Sequence, residues 1–326
     1  MIYIRRIILP ILAALLTLLP AACTANSNAS SGTSDPEESQ ESGNASPFSA
    51  DSAFAFLKRQ VDFGPRVPNT AAHRATAEWL EHKLRQYCDT VIVTRFSPLT
   101  FDNVRLDARN IFAQINPEAS DRTLLLAHWD TRPWADHDDD PALRRTPVEG
   151  ANDGASGVAV ILELARALHA SGFKGGVDIL FVDAEDWGDE GDDSSWALGA
   201  QHFAQHPPLT AYAPKEAILL DMVGGKGATF TREYFSQQSN PALNQRIWQT
   251  AAQSGYGDIF TDRVETAVTD DHVPLIQAGI PAVDIIDYRA GEGFAPTWHT
   301  TQDNIDNIDI RTLEAVGNVV FKVLTQ

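Results

Sequence analysis

The sequence predicts an α/β domain built around a largely parallel central sheet. Two observations carry that expectation. From about residue 50 onward, segments with helical periodicity alternate with short apolar segments. One of the latter, "VDILFVDA" (177–184), is a continuous apolar strand, the pattern of a sheet covered on both faces.

The elements follow in order. "NTAAHRATAEWLEHKLRQY" (69–87) reads as a helix, with Ala75, Trp79 and Leu84 among its apolar positions and Asn69 or Thr70 as its cap. "TVIVTRF" (90–96) and "NIFAQI" (110–115) read as strands, and "RTLLLAHWD" (122–130) as a strand that ends in chemistry. "GASGVAVILELARAL" (154–168) is a helix with Val158, Ile161, Leu162, Ala165 and Leu168 on one stripe. After "VDILFVDA", the segment "SSWALGAQHFA" (194–204) reads as helix and "EAILLDMV" (216–223) as strand. "PALNQRIWQTAAQSG" (241–255) is helical and "IPAVDII" (280–286) a strand. The last helix starts near Asp309 and presents Leu313, Val316, Val320, Val323 and Leu324.

In such sheets ligands bind outside the carboxyl ends of the strands. His128 and Asp130 follow "LLLA", Glu185 and Asp186 follow "LFVDA", and Asp221 follows "AILL". Asp153 precedes a helix, and His299 lies on a loop near the end. "HWD" sets His128 and Asp130 on one face of extended backbone, where a carboxylate can orient an imidazole. Asp153 sits among small residues in "EGANDGASG"; a helix N-terminus favours an anion, and glycines let backbone approach a ligand. Capping is the commonplace alternative for such an aspartate. The acids from Asp189 to Asp193 are read as a solvated loop.

The chain has 326 residues, 43% hydrophobic and 21% charged, enough for one sizeable core. A formal net charge of −19 argues against nucleic acid or an anionic membrane surface as partner. Cys23 and Cys88 are the only cysteines, so a metal would be held by His, Asp and Glu. Arg5 and Arg6 precede an apolar run from Ile7 to Leu19, and Ala21 and Ala22 then offer a small-residue cleavage site, so residues 1–22 are expected to be a signal peptide. Cys23 sits where a bacterial lipoprotein would be acylated, with Pro20 where leucine is usual. An exported, periplasmic or cell-envelope protein is expected, with membrane attachment only through acylated Cys23. Residues 23–49 carry almost no large apolar side chain and read as a disordered tether ahead of a single domain at 50–326.

Taken in order, "LLLAHWD", "GANDGASGVAVILELAR", "LFVDAED", "AILLDMVGG", "TDDHVPLIQAGIP" and "WHTTQDN" resemble the zinc-dependent aminopeptidase-like hydrolase family. Within it the resemblance is closest to the glutaminyl cyclases, especially bacterial forms, and covers roughly Phe63 to the C-terminus. It implies a three-layer α/β sandwich with a central mixed, largely parallel sheet. It implies one zinc ion per chain held by Asp153, Asp186 and His299, with Glu185 as general acid/base. Asp221 and Asp270 match an acidic network beside it. Phe294 and Trp298 match the aromatic wall of the pocket, with Trp187 or Trp196 as a further wall. Many members carry two glutamates where this chain has Glu185 and Asp186. A single site with one position left open for water or substrate suits a catalytic metal.

The activity implied is that of a glutaminyl-peptide cyclotransferase, an acyltransferase that converts the N-terminal glutamine of peptides or proteins to pyroglutamate with release of ammonia. A two-zinc aminopeptidase is the alternative, with His128, Asp153 and Asp221 on one ion and Asp153, Asp186 and His299 on the other. A surface lipoprotein that binds peptides or metal without catalysis is the third, and an intact Glu185 argues against it.

Overall fold

The computed structural model of the protein describes residues 47–289 and 291–326. The expected signal peptide, Cys23 and nearly all of the expected tether lie outside the described residues. Among the described residues no helix is long and apolar enough to cross a membrane. Phe48 is buried on Gly317, where any β-carbon would come within 2.0 Å of its ring. The Ser49 amide donates to Glu163 Oε1 at 2.8 Å, and its hydroxyl accepts from the Ser52 amide. The packed chain therefore includes Phe48 and Ser49, just ahead of the boundary expected at residue 50.

Helices α1 (Ala50–Val61) and α2 (Ala71–Tyr87) come first; Thr70, not Asn69, caps α2 through its side chain. Strands β1 (Thr90–Phe96), β2 (Ala108–Ile115) and β3 (Arg122–His128) follow, then α3 (Ala155–Ser171), β4 (Gly176–Val182), α4 (Leu198–Gln205) and β5 (Glu216–Asp221). The second half carries β6 (Phe230–Arg232), α5 (Tyr234–Ser239), α6 (Pro241–Gln253), β7 (Phe260–Val264), α7 (His272–Gln277) and β8 (Ala282–Ile286). A short pair, β9 (Tyr288–Arg289) and β10 (Gly293–Phe294), and α8 (Ile310–Thr325) complete it.

The main sheet has six strands in the order β1-β2-β4-β3-β5-β8. β4, β3, β5 and β8 run parallel, while β2 is antiparallel to both β1 and β4. The sheet is thus mixed and largely parallel, as expected. Alternation along the strands divides two cores. Leu125, Ile179, Ile218 and Val283 pack on one face with residues of α1, α3 and α8. Leu124, Leu126, Leu180 and Leu219 pack on the other with residues of α4 and α7. That is a three-layer sandwich. Each fully buried leucine contributes roughly 1.5–3 kcal/mol, so both faces must stay covered.

α3 is buried along most of its length, and it lies close to the sheet because Gly157 has no side chain. A β-carbon there would sit 2.0 Å from the Leu220 carbonyl oxygen. Gly154 has the same function against His128, with a clash at 2.5 Å. The glycines read as a ligand approach therefore serve contacts within the protein.

Two expectations shift. The helix expected at 194–204 begins only at Leu198; residues 193–195 form a single 3-10 turn, and Ala197 adopts φ 55°. A non-glycine residue in that left-handed region breaks helical continuity, and Trp196 is left outside the helix. The pair β6–β7, the helices α1, α5 and α7, and the β9–β10 pair were not anticipated; most are too short for periodicity to register.

Candidate active site

The carboxyl ends of β3, β4 and β5 converge on one place. His128 closes β3, Asp221 closes β5, and Glu185 and Asp186 lie just beyond β4. Asp183 anchors the turn after β4: it pairs with His73 of α2 at 2.9 Å and accepts from the amides of Arg109 and Ala184. Ala184 then takes φ 58°, Met222 after Asp221 takes φ 49°, and His299 itself takes φ 54°. Left-handed backbone at non-glycine residues is costly, and its concentration here marks a site held in place by its surroundings.

Asp130 departs from its expected role. It lies 3.6 Å from His128 Nδ1, beyond a good hydrogen bond, and instead accepts from the amides of Glu185 (3.1 Å) and Asp186 (3.3 Å). It fixes the backbone of the acid pair. Asp153 is not the cap of α3; Gly154 holds that position, and the Asp153 carboxylate lies against His128 Nε2 at 2.8 Å. His128 Nε2 is also 3.2 Å from Asp221. Burial opposes a charge on His128, but the carboxylates of Asp130, Asp153 and Asp221 outweigh it and raise its pKa well above the ordinary value.

Donor atoms of Asp153, Asp186 and His299 all lie within 4.8 Å of one another. His299 Nε2 is 3.1 Å from Asp186 Oδ1 and 3.8 Å from Asp153 Oδ2. Despite the 3.1 Å approach, Asp186 Oδ1 has no aligned hydrogen-bond partner. Burial, then the positive charge of Arg132, lowers the His299 pKa to about 3, so the imidazole is neutral and its lone pair free. Burial, then the neighbouring Asp153 charge, pushes Asp186 well above the carboxylate range. Two buried acids and a neutral imidazole, close but not hydrogen-bonded, fit a divalent cation that would satisfy the lone pairs and offset the charge. Donor atoms of His128, Asp153 and Asp221 also lie within 4.8 Å of one another, sharing Asp153, but there the imidazole is already hydrogen-bonded to Asp221.

Asp153 and His299 border a cavity of about 510 Å³, with Asp186 just behind them. Glu185, Asp221, Asp270, Trp196, Phe294 and Trp298 all line it, so every site residue expected from the sequence comes to one place. Burial, followed by the charges of Asp270 and Asp271, raises Glu185 well above its ordinary pKa against the pull of His128. Burial and Asp221 raise Asp270 to about 7. Trp298 stacks on His299 with centroids 3.7 Å apart, and Trp196 lies nearly parallel to the same ring at 5.9 Å. Phe294 packs on Trp298 at 4.5 Å. Trp187 does not line the cavity; it packs edge-on against Trp134 and donates to Asp102. Trp196 is therefore the further wall.

Several participants carried no sequence signal. Arg132 grips Asp136 with two nitrogens (2.8 and 2.6 Å), donates to the carbonyls of Asp186 and Gly188, and lies 4.9 Å from the Trp196 ring. Asp303 accepts from the amides of Asn152 (2.7 Å) and Asp153 (3.1 Å). His137, paired with Glu190, stands edge-on to Trp298. Glu190 and Asp193 are exposed, as a solvated loop requires, yet both edge the cavity.

A mixed α/β sandwich with His, Asp and Glu gathered at the strand ends defines a metallohydrolase-like scaffold. The chain belongs to peptidase family M28, which it matches over residues 110–324. Among solved structures, it is 48% identical to Porphyromonas gingivalis glutaminyl cyclase, over 86% of this chain and 99% of that one, with a TM-score of 0.84. It is 44% identical to a Zn-dependent exopeptidase from Parabacteroides distasonis, over 86% of this chain and 100% of that one, also with a TM-score of 0.84. A curated relative, the glutaminyl-peptide cyclotransferase of Gloydius blomhoffii, is 24% identical over 65% of this chain, and the match spans 63% of that relative's length.

Proposed function

We propose that the protein is an exported glutaminyl-peptide cyclotransferase, acting on peptides or proteins with N-terminal glutamine and holding one zinc ion on Asp153, Asp186 and His299. The observation that carries this reading is the contact between that donor group and an aromatic-walled cavity: Trp298 stacks directly on His299. The likeness to a glutaminyl cyclase at 48% identity supports it. When bound, zinc would supply Lewis-acid polarisation of the substrate's side-chain amide carbonyl.

The protein's own residues do the rest. Trp196, Phe294 and Trp298 hold the flat glutamine side chain and limit the space around it. Glu185, at the cavity wall, takes a proton from the attacking α-amine and delivers it to the departing ammonia. One C–N bond forms within the residue and the C–N bond of its carboxamide breaks, so no external nucleophile is needed. Because the attack is intramolecular, holding amine and carbonyl together supplies much of the acceleration. Asp221 and Asp270 face the same cavity and share the acidic network that keeps a proton available there.

Incubation with Gln-initiated peptides should release one ammonia and lower the mass by about 17 Da with the peptide bond intact, as intramolecular closure requires. The two-zinc aminopeptidase reading is favoured by one observation, the second donor group at His128, Asp153 and Asp221. Free amino acids released from Leu- or Ala-initiated peptides, with no ammonia from Gln-initiated ones, would establish it instead.

A further inference from the structure

A second hollow, about 640 Å³, lies between α4 and α7. Asp193, Trp196, Thr269 and Asp270 line both it and the cavity beside His299. The two spaces are therefore neighbours across one wall, whose edge is formed by exposed Thr269 and Asp193 and half-buried Trp196. Beyond that edge, Phe235, Val273 and Pro274 supply apolar floor. Gln205 and Gln277, both exposed, make no side-chain hydrogen bond among the described residues. A free carboxamide can both donate and accept, which suits the alternating groups of an extended peptide backbone. The Asp193 carboxylate at the junction forms no ion pair among the described residues, and the formal net charge of the protein is −19. An unpaired acid on such a background favours a cationic ligand group.

We propose that cavity and groove form one track, and that the groove takes the residues following the N-terminal glutamine of an extended peptide, with a basic side chain preferred next to Asp193. This rests on the reading of the cavity as the seat of that first residue. An extended peptide advances about 3.3 Å per residue, so the second to fifth residues have the length to cross the shared edge and lie between α4 and α7. Trp196 then has two functions: one wall holds the glutamine side chain, and its rim carries the downstream backbone.

The test compares ammonia release from Gln-Ala-amide, from a Gln-initiated alanine pentapeptide amide, and from pentapeptides with Arg or Glu at the third position. The expected result is a kcat/KM about tenfold higher for the pentapeptide than for the dipeptide, and about fivefold higher for Arg than for Glu at low salt. Asp193→Asn should remove most of the Arg preference, and Ala278→Trp, which fills the groove, should bring the length ratio close to one. Equal kcat/KM at all lengths would overturn the proposal while leaving cyclisation intact. If no Gln-initiated substrate releases ammonia, the activity reading fails, and the groove is judged by binding of the same peptides carrying a C-terminal fluorophore. Affinity that rises with length and is lost in Ala278→Trp sustains the groove; affinity independent of length overturns it.

Discussion

His128 Nε2 lies 2.8 Å from Asp153 Oδ1, on the donor group that would otherwise accept a second metal ion. The same nitrogen is 3.2 Å from Asp221. A protonated imidazole there already balances both carboxylates, and a second cation would have to displace its proton. Extensively dialysed, active protein should therefore contain about one equivalent of zinc, as a three-ligand open site needs. Metal analysis showing two equivalents, both required for activity, would move the assignment to the aminopeptidase.

Glu185 and Asp186 share an anchor in Asp130 but should fail differently. Glu185→Gln removes a proton acceptor and leaves the metal donors intact, so zinc should remain while kcat falls by roughly 10²–10⁴. Asp186→Asn makes an anionic donor neutral. Zinc affinity should drop by more than the roughly 10–100-fold typical of outer-sphere changes. Metal retention and turnover, measured on both variants, separate the roles; an emptied site in Glu185→Gln alone reverses them.

The α/β class was legible because β3, β4 and β5 are nearly uninterrupted apolar runs, and a run of that kind has few other places to go. The site was legible for a related reason: a polar residue that follows a buried strand sits where parallel sheets place their ligands. Trp196 was only half legible. Tryptophan is a helix-compatible residue, and nothing local announced that Ala197 would turn left-handed and exclude it from α4. Arg132 and Asp303 were invisible because the contacts that tie them to the site, to the Asp186 and Gly188 carbonyls and to the Asn152 and Asp153 amides, are made with distant backbone atoms joined only by the fold. Phe48 illustrates the converse: one aromatic residue in a polar stretch is too weak a pattern, yet it packs on Gly317, near the other end of the protein.

Burial leaves several acids with raised pKa values, and this fixes a pH dependence for the metal-free protein. Asp270 is raised to about 7 and Asp303 to about 8, each by burial first, against about 3.9 for an unfolded aspartate. Between roughly pH 6.5 and 8 the unfolded protein binds fewer protons at these positions than the folded one, so stability falls as pH rises. His128, with its raised folded pKa, loses stability in the same direction. His299, lowered to about 3, is uncharged in the folded state while its unfolded imidazole still binds part of a proton near pH 6.5, so it opposes this slope at the lower end of the window and is outweighed by the two acids and His128. Thermal melting of metal-free protein should therefore give a lower Tm at about pH 8 than at about pH 6.5. Zinc should raise Tm more at the higher pH, because binding releases protons. A Tm of the metal-free protein that rises over this interval would contradict the buried, proton-holding cluster.

Trp298 has its ring centroid 3.7 Å from that of His299 and 4.5 Å from that of Phe294. It donates no metal ligand. Trp298→Ala should lower kcat/KM for Gln-initiated peptides by roughly tenfold or more, a loss of about 1.4 kcal/mol or greater, while most of the zinc is retained. N-terminal asparagine should not be turned over by either protein, since its shorter arm would have to close a strained four-membered ring. Equal losses of zinc and activity in the variant would make Trp298 a support for the metal site and not a wall of the pocket.

Arg132 joins the metal donors to the aromatic wall. Two of its nitrogens hold Asp136, a third donates to the carbonyls of Asp186 and Gly188, and the guanidinium faces both Trp134 (5.2 Å) and Trp196 (4.9 Å). Only a planar fork can do this; a lysine keeps the charge but cannot form the paired bonds or lie flat on the indoles. Arg132→Lys should leave the fold in place and loosen both the backbone at Asp186 and the seat of Trp196. Roughly tenfold lower kcat/KM is expected, drawn from a raised KM as Trp196 loosens and a lowered zinc affinity as Asp186 does. Arg132→Met, which removes the charge as well, leaves Asp136 without its partner and should cost stability in addition, because a half-buried carboxylate is then left unpaired. A lysine variant with unchanged KM and unchanged zinc affinity would show that the charge suffices, and that the fork geometry plays no part in positioning the site.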